Sequence, residues 1–537
     1  MKKLLILIGL SVALMLKTTS CSQDFLDTAP SDGTTIANLT NSFEDARSLL
    51  VGLNRSRFMG DNYNTTTQPF LAGEYPIIKF LEYLGDDKFN QGATSQQGNW
   101  ALVSSLHSEM ATSAMTALPW NRYYYWILSM NILLSIVDQV DATEAQRNWL
   151  RAQALAYRAY YFHKLVRMYG PAYNHSPDAL GIVLTLTPPE PPFTGIPRAT
   201  VRETYQQIEA DLLEATRLMG LPGVDAVAAA HDITFIRRNV IDGLLSRVYL
   251  DMHNWEQAAF FANLANTVPL MTRAQFADGF LTRNAEWMWA SFVPSDESQS
   301  WATAPVCLTN APGFRTASWG FVNAINRNLI AHTDSANDAR IGGVPGTRPM
   351  MSHFMGHELA YNKFQWAGLS NAYDLVYMRG AEMRLNEAEA LLMGNLDINR
   401  ARMLIQEVIN ARIADGGVFA ATLNNMNRYQ LLNELIMQQR LEFWGEGHRF
   451  FNLKRRIGSS PVGSDVVIGQ MGSVIPDFLD RRTSGHPRSM NFHPNAGAAP
   501  AGWFITNPQS RHWVWLVPQR EINVNSVVVQ SPTGGPW

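Results

Sequence analysis

Cysteine is nearly absent from this chain: Cys21 and Cys307 are the only two among 537 residues. A disulfide that includes Cys21 therefore requires Cys307 as its partner. Charge is also nearly balanced, with 43 basic and 46 acidic residues and a formal net charge of −3. Because nucleic acids and anionic surfaces attract clusters of lysine and arginine, this composition argues against nucleic acid as a partner.

The familiar signatures of catalysis and nucleotide binding are missing as well. The chain contains no GxSxG, HExxH, CxxC or GxGxxG pattern and no phosphate-binding loop ending in Gly-Lys. It therefore offers none of the short motifs that mark hydrolase nucleophiles, zinc proteases or dinucleotide sites.

Only one stretch is a long apolar run, and it lies at the N-terminus. Two lysines precede the apolar residues 4–16, which are too few for a membrane-spanning helix of about 20 residues but suit a secretory signal. Small residues then lead into Cys21, where a bacterial lipoprotein is cut and acylated. The alternative is an ordinary signal with an incidental cysteine, since Thr18 stands where lipoproteins usually have leucine. We expect residues 1–20 to be a lipoprotein signal peptide and Cys21 to carry the lipid anchor, palmitate included.

The strongest helix signal spans residues 143–170. Thr143 and Gln146 can form a capping box, in which each side chain satisfies an otherwise unpaired backbone N–H. Apolar residues then recur at helical spacing, and Gly170 is expected to end the helix in a left-handed turn. Further helices are predicted at 200–220, 240–268, 372–413 and 431–456.

Two of these segments, 240–268 and 372–413, have the pattern of antiparallel helix pairs, each with a short turn. Alanines lie where the paired helices would cross, at Ala258, Ala259, Ala262, Ala388, Ala390, Ala401 and Ala411. The pattern is typical of tetratricopeptide-type hairpins, although no strict period of about 34 residues runs through the chain. We expect a mainly α fold of tetratricopeptide-like helix pairs, with long loop insertions and a few short β-strands.

Strands and loops are predicted between the helices. Alternation in EWMWASFV (286–293) and HWVWLVP (512–518) predicts two short strands. Segments 60–119, 269–371 and 457–510 have weak periodicity and many turn residues. They predict long loops, which in a compact protein are usually functional.

Two clusters suggest chemistry, and in both we favour a structural role. His353 and His357 have a spacing that could clamp a metal on a helix, but Gly356 between them disfavours a helix. Glu442 and Glu446 could form the carboxylate pair of a glycosidase, whose members lie about 5–9.5 Å apart. Their neighbours favour a structural carboxylate–arginine cluster, with ion-pair partners among Arg440, Arg449, Arg455 and Arg456.

An acidic pair, Asp86 and Asp87, lies in the loop YLGDDKFN. The two carboxylates could help to bind Ca²⁺ or sugar hydroxyl groups. Adjacent acids in a loop are more often simply solvated, and we favour that interpretation. A structural Ca²⁺ is left open, and no other cofactor is expected.

The tryptophans fall into two groups. Trp120, Trp149, Trp255 and Trp444 lie in or beside helical patterns and are expected in the core. Three others, Trp100, Trp301 and Trp319, lie in loops among amides and small polar residues. An exposed indole can stack on the C–H face of a sugar ring, while amide and guanidinium groups bind its hydroxyls. The predicted ligand-binding residues are Asn99, Trp100, Trp301, Arg315 and Trp319. The alternative for each tryptophan is ordinary loop packing.

A series of stretches, in order, resembles the SusD/RagB family of outer-membrane lipoproteins of Gram-negative bacteria. The stretches are SCSQDFLDTAP, WNRYYYWILSMNILLSIV, RAQALAYRAYYFHKLVRMYG, LLSRVYLDMHNWEQAAFFANLA, YMRGAEMRLNEAEALL, RLEFWGEGHRFFNLKRR and WLVPQREINVN. The resemblance implies a single body at 21–537, with an N-terminal helical part at 21–230 and a C-terminal part with ligand-binding loops at 231–537.

The resemblance also implies a function. Family members are binding proteins rather than enzymes, and they cap a SusC-like TonB-dependent transporter in the outer membrane. They bind nutrient, most often a glycan, before import, and the lipid anchor holds them at the membrane, facing the cell exterior. Three alternatives stay open from the residues alone: capture of oligopeptides by a RagB-like subunit, a surface hydrolase, and a purely structural lid.

Overall fold

The architecture is mainly helical, as expected. The computed structural model describes residues 36–59, 73–85, 87–91, 111–192, 194–295, 297, 322–325, 327–333, 336–347, 350–354, 357–365, 373–414, 421–464, 468 and 513–531. The helices are α1 Phe43–Ser56, α2 Tyr75–Leu84, α3 Ala114–Ile136, α4 Glu144–Tyr169, α5 Val201–Met219, α6 Val224–Ala229, α7 Arg238–Asp251, α8 Trp255–Ala265, α9 Arg273–Ala277, α10 Arg327–His332, α11 Gly380–Met393, α12 Ile398–Arg412, α13 Arg428–Glu442, α14 Arg449–Arg456 and α15 Gln519–Val524. The strands are β1 Lys88–Gln91, β2 Leu180–Val183, β3 Arg198–Thr200, β4 Trp287–Ser291, β5 Val322–Ile325, β6 Met351–Phe354, β7 His357–Tyr361 and β8 Leu375–Arg379.

Helix α4 is the central helix of the N-terminal part. It begins at the predicted capping box, in which Gln146 N–H donates to Thr143 Oγ1 at 3.3 Å and Thr143 N–H donates to Gln146 Oε1 at 2.9 Å. Its apolar residues are buried on every side rather than on one face, because α3 and α5 pack against it. The expected left-handed turn at its end is wrong, since Gly170 is extended, with φ −109°. A Cβ there would lie 3.0 Å from the Val166 carbonyl oxygen, so close packing accounts for the glycine.

The predicted helix pairs are confirmed. Helices α7 and α8 pack together and turn at His253, while α11 and α12 pack together and turn at Asn395. Both turn residues have positive φ, 57° and 55° respectively. The alanines at the crossings are buried, except for the half-buried Ala411. Since α8 also packs against α11, the two pairs form one continuous layer, as tetratricopeptide-like hairpins do.

Other local predictions are also wrong. The single helix predicted at 431–456 is interrupted between α13 and α14. Residues 375–379 form strand β8 rather than the start of a helix, because they pair antiparallel with β4. Residues 513–518 do not form the expected strand, and Trp513 and Trp515 are nevertheless both buried. The strand at 287–291 is confirmed, and so is the core position of Trp120, Trp149, Trp255 and Trp444.

Among the described residues, no helix is both long enough and apolar enough to cross a membrane.

The capping box gives a first test of the fold. Replacing Thr143 with alanine removes the acceptor for Gln146 N–H, so the free energy of unfolding should fall by about 1 kcal/mol. The matched variant Thr143→Ser keeps the hydroxyl and should stay within a few tenths of a kcal/mol of the wild type. Urea denaturation measures both. An equal loss in the two variants would mean that the methyl group, and not the cap, is responsible.

Candidate ligand-binding site

A four-stranded antiparallel sheet, in the order β1-β5-β7-β6, collects several connecting segments at one of its ends. Gln91, the last residue of β1, pairs with Val322, the first residue of β5. Met351, the first residue of β6, pairs with Tyr361, the last residue of β7. Because Ala324 pairs with Ala360, both residue pairs lie at the same end of the sheet. We call this end, formed by Gln91, Val322, Met351 and Tyr361, the loop-bearing end.

The predicted ligand-binding residues lie outside the described residues, and so does Cys21. Asn99 and Trp100 belong to segment 92–110, while Trp301, Arg315 and Trp319 belong to segment 298–321. The first segment follows Gln91, and the second precedes Val322. Both segments are therefore attached to neighbouring positions at the loop-bearing end.

The sheet is held to the helical body by the turn between α13 and α14. Tyr361 Oη donates a hydrogen bond to the Arg340 carbonyl oxygen at 2.7 Å. Its ring meets the Trp444 ring edge-on, with centroids 4.7 Å apart. Trp444 Nε1 in turn donates to the Asp87 carbonyl oxygen at 3.1 Å. The end of β7 and the start of β1 are thus fastened to the same buried indole.

Asp87 is buried and paired, which corrects the expectation of a solvated acid. Only 1% of it is exposed, and its carboxylate lies 2.7 Å from Arg440 Nε and 3.6 Å from Arg449 Nε. The two guanidinium groups lie beside this carboxylate, in the space that a bound Ca²⁺ ion would have to occupy. The other acid, Asp86, lies outside the described residues.

Glu442 forms the centre of a buried charge network beneath the sheet. Its carboxylate lies 2.6 Å from Arg379 Nη1, 2.8 Å from Arg412 Nη2 and 3.5 Å from Arg340 Nη1. A second carboxylate, Glu286, contacts Arg379 at 2.9 Å and Arg412 at 3.1 Å. All five side chains are at most 1% exposed, so each charge depends on its partners for the solvation it has lost.

Glu446 extends this network towards the sheet. Its carboxylate pairs with Arg379 and with Lys363, which follows β7. Lys363 Nζ also donates to the Glu442 and Trp444 carbonyl oxygens at 2.7 and 2.8 Å. The lysine therefore connects the residues just beyond the loop-bearing end to the buried charges.

The electrostatics of the two glutamates do not match those of a glycosidase acid–base pair. Burial raises the pKa of Glu442, but Arg412, Arg379 and Arg340 outweigh it and lower that pKa well below the usual range. For Glu446, Arg379 and Lys363 likewise outweigh burial and lower the pKa to about 2. A glycosidase acid needs a raised pKa, whereas both groups are ionised at neutral pH. The structural carboxylate–arginine interpretation is confirmed.

The predicted partners within this cluster are wrong. Arg440 and Arg449 pair with Asp87, and Arg455 and Arg456 pair with Glu389. The true partners of Glu442 come from β8, α12 and the turn at 336–342, far from it in sequence. Local spacing carries no signal for such contacts, so the sequence did not indicate Arg340, Arg379 or Arg412.

The histidine pair is not on a helix. Residues 351–354 and 357–361 are strands of the sheet, and Phe354 pairs with His357 across the hairpin. The helical spacing that suggested a metal clamp therefore does not apply. In the part of the chain that the structure describes, no group of three or more His, Cys, Asp or Glu residues could hold a metal ion.

Comparison with known families decides where the chain belongs. Residues 65–250 match a SusD-like family described as starch-binding and associating with the outer membrane. Residues 288–533 match the SusD family itself. The chain belongs to the SusD family. The family is one of carbohydrate-binding proteins associated with the outer membrane.

Solved structures of SusD-like proteins share the fold. A SusD-like carbohydrate-binding protein from Bacteroides vulgatus is 21% identical, with a TM-score of 0.67 over 91% of this chain and 97% of that one. A SusD superfamily protein from Bacteroides thetaiotaomicron is 19% identical, with a TM-score of 0.66 over 91% and 100%. A laminarin-binding SusD-like protein is 20% identical, with a TM-score of 0.60 over 92% and 99%. No curated protein sequence matches the chain.

The buried network of this SusD-family protein should be essential to its stability. Replacing Glu442 with glutamine leaves three guanidinium groups short of a counter-charge, so the free energy of unfolding should fall by about 3–5 kcal/mol. The control Glu407→Gln removes a partner of Arg384 that is 46% exposed and should change it by less than about 0.5 kcal/mol. Denaturant titration of both variants tests this. A loss below about 1 kcal/mol for Glu442→Gln would contradict the assigned role.

Lowering the pH should remove the stabilisation that the ionised Glu442 carboxylate provides. The pKa of Glu442 is lower in the folded protein than its ordinary value of 4.5, so its stabilisation is complete above that value and is lost as the pH falls below it. The stability difference between wild type and Glu442→Gln should therefore shrink between pH 6 and pH 3. Urea denaturation at the two pH values measures it. A difference that stays constant would show that folding does not lower the pKa of Glu442.

Proposed function

We propose that this protein is a cell-surface glycan-binding lipoprotein. It captures a polysaccharide or oligosaccharide and passes it to a SusC-like TonB-dependent transporter in the outer membrane. Cys21 carries the lipid that anchors the chain to that membrane, facing the cell exterior. The role is binding and transfer, without catalysis.

The observation that carries the proposal is the pairing of Gln91 with Val322. Cα atoms of paired residues on neighbouring strands lie about 4.5–5.5 Å apart. Trp319 precedes Val322 by three residues, so chain length alone keeps it within about 11 Å of the sheet. Trp100 follows Gln91 by nine residues, which allows it to reach the same region. The topology is therefore suited to bringing the two indoles to one ligand.

The residues in these segments suit a carbohydrate. The flat face of an indole packs on the C–H groups of a pyranose ring, and the side chains of Asn99 and Arg315 can bind its hydroxyls. Two similar proteins have names that point the same way, a carbohydrate-binding protein and a laminarin-binding protein. The buried, ionised Glu442 and Glu446 support binding without hydrolysis.

Binding proteins commonly place variable connecting segments on a fixed scaffold, because the segments can change in sequence while the scaffold that positions them does not. Here the scaffold is the sheet with its attachment to Trp444 and Lys363. We infer that the connecting segments determine which glycan binds. The helical body determines where those segments start and end.

Alanine substitutions at Trp100, Trp301 and Trp319 test the proposal. Loss of a stacking indole should weaken glycan binding at least tenfold, which corresponds to about 1.4 kcal/mol, without changing the unfolding transition. The control Phe260→Ala removes a ring that is 54% exposed on α8 and should leave the affinity unchanged. Isothermal titration calorimetry measures the affinities. Unchanged binding in all three tryptophan variants would remove these residues from the site.

The ligand class needs its own experiment. The purified protein would be titrated with a panel of polysaccharides, oligosaccharides and mixed peptides. Binding of one glycan, with no response to peptides, is the expected result. A response to peptides alone would replace glycan capture with oligopeptide capture. Turnover of any bound polymer would establish the hydrolase instead.

A further inference from the structure

A cavity lies within the helical body, where α4, α7 and α11 meet the segment around α14. Its volume is about 40 Å³. By the same measure one ordered water needs about 10–15 Å³, so the cavity has room for roughly three oxygen-sized atoms. Polar side chains dominate its wall, chiefly Lys164, Arg167, Arg247, Asn386, His448 and Asn452.

The acids in the wall already have partners. Glu382 pairs with Arg247, and Asp251 lies 3.1 Å from Arg167 Nε. Glu446 pairs with Arg379, as described above. Each of these carboxylates is at most 11% exposed and contacts a guanidinium group. Arginine side chains therefore already neutralise the charges of these three carboxylates.

Hydrogen-bond donors remain after this pairing. Lys164 is half-buried, and no described carboxylate lies within 4.0 Å of its Nζ, which is 5.3 Å from the centroid of the Tyr160 ring. Asn386 is only 6% exposed, yet its Nδ2 has no hydrogen-bond partner among the described residues. The wall thus presents an ammonium group and a buried amide donor, and a buried donor without an acceptor costs about 1–3 kcal/mol.

The protonation states of Lys164 and His448 depend on their burial and on the charges around them. Burial, with Arg247 and Arg167 nearby, lowers the pKa of Lys164 to about 7, against an opposing attraction from Glu74. Burial also lowers the pKa of His448 to about 4, so its imidazole is neutral near pH 7. A neutral imidazole can donate one N–H. Lys164 has no ion-pair partner among the described residues that would raise its pKa.

We propose that this cavity binds a carboxylate group through Lys164 Nζ and Asn386 Nδ2. The three heavy atoms of a carboxylate fit the available room, and its two acceptor oxygens match the two donors. The cavity has too little room for a sugar ring beside them. Binding here does not depend on the proposed capture of glycan.

The test is titration of the purified protein with inorganic phosphate and, separately, with acetate at pH 6.5. Sodium chloride keeps the ionic strength constant, and the thermal unfolding midpoint is the readout. A ligand that binds only the folded state stabilises it by RT ln(1 + L/Kd), where L is the free ligand concentration, so the midpoint keeps rising with the logarithm of L above Kd. We expect acetate to raise the midpoint in this way. Phosphate, with four oxygens around phosphorus, is too large for the cavity and should have no effect beyond the chloride control.

Three variants locate the site. Lys164→Met keeps the length of the side chain and removes its charge, and Asn386→Leu keeps the approximate size and removes the donor. The first should weaken anion binding at least tenfold and the second about three- to tenfold. The control Arg217→Met removes a positive charge from the surface, where its side chain is 58% exposed, and should bind like the wild type.

Two results would overturn the proposal. One is a midpoint that acetate raises no further than the chloride control does. The other is an acetate response that Lys164→Met and Asn386→Leu both retain, since the anion would then bind elsewhere. Each variant is compared with its own midpoint without anion, so a change in basal stability does not affect the conclusion. Glycan binding measured on the same variants should be unaffected.

Discussion

The Glu442 carboxylate, buried among three guanidinium groups, is the interaction on which the rest of the C-terminal part depends. It joins the end of α13 to β8 through Arg379, to α12 through Arg412 and to the turn at 336–342 through Arg340. A charge at this depth is tolerated only while every partner is in place. The network therefore fixes the relative positions of four chain segments more strictly than apolar packing, which accommodates small shifts, would do.

The Glu442 network also supports the sheet to which the predicted ligand-binding segments are attached. Glu446 and Lys363 carry the network to the residues just beyond β7, and Trp444 connects the sheet to the same turn. The segments attached at the loop-bearing end can differ in length and sequence without disturbing what lies beneath them. Proteins that are 19–21% identical to this chain share its fold.

Agreement between sequence and structure is best where the physical cause is local. Thr143 and Gln146 predicted the start of α4, because a capping box involves only neighbouring residues. Prediction failed where a segment distant in sequence determines the local structure. Residues 375–379 form a strand because β4 pairs with them. Gly170 is a similar case, since its extended conformation places it against Val166 and Val201 rather than in a turn.

The sequence by itself determined the helix pairs, their turns and the family. It could do so because caps, periodicity and motif order are properties of consecutive residues. Only the tertiary structure decided the partners of Glu442, the burial of Asp87 and which polar side chains line a cavity together with Lys164. Those depend on which helices pack together, and buried charges choose partners by proximity in space, whatever their distance along the chain.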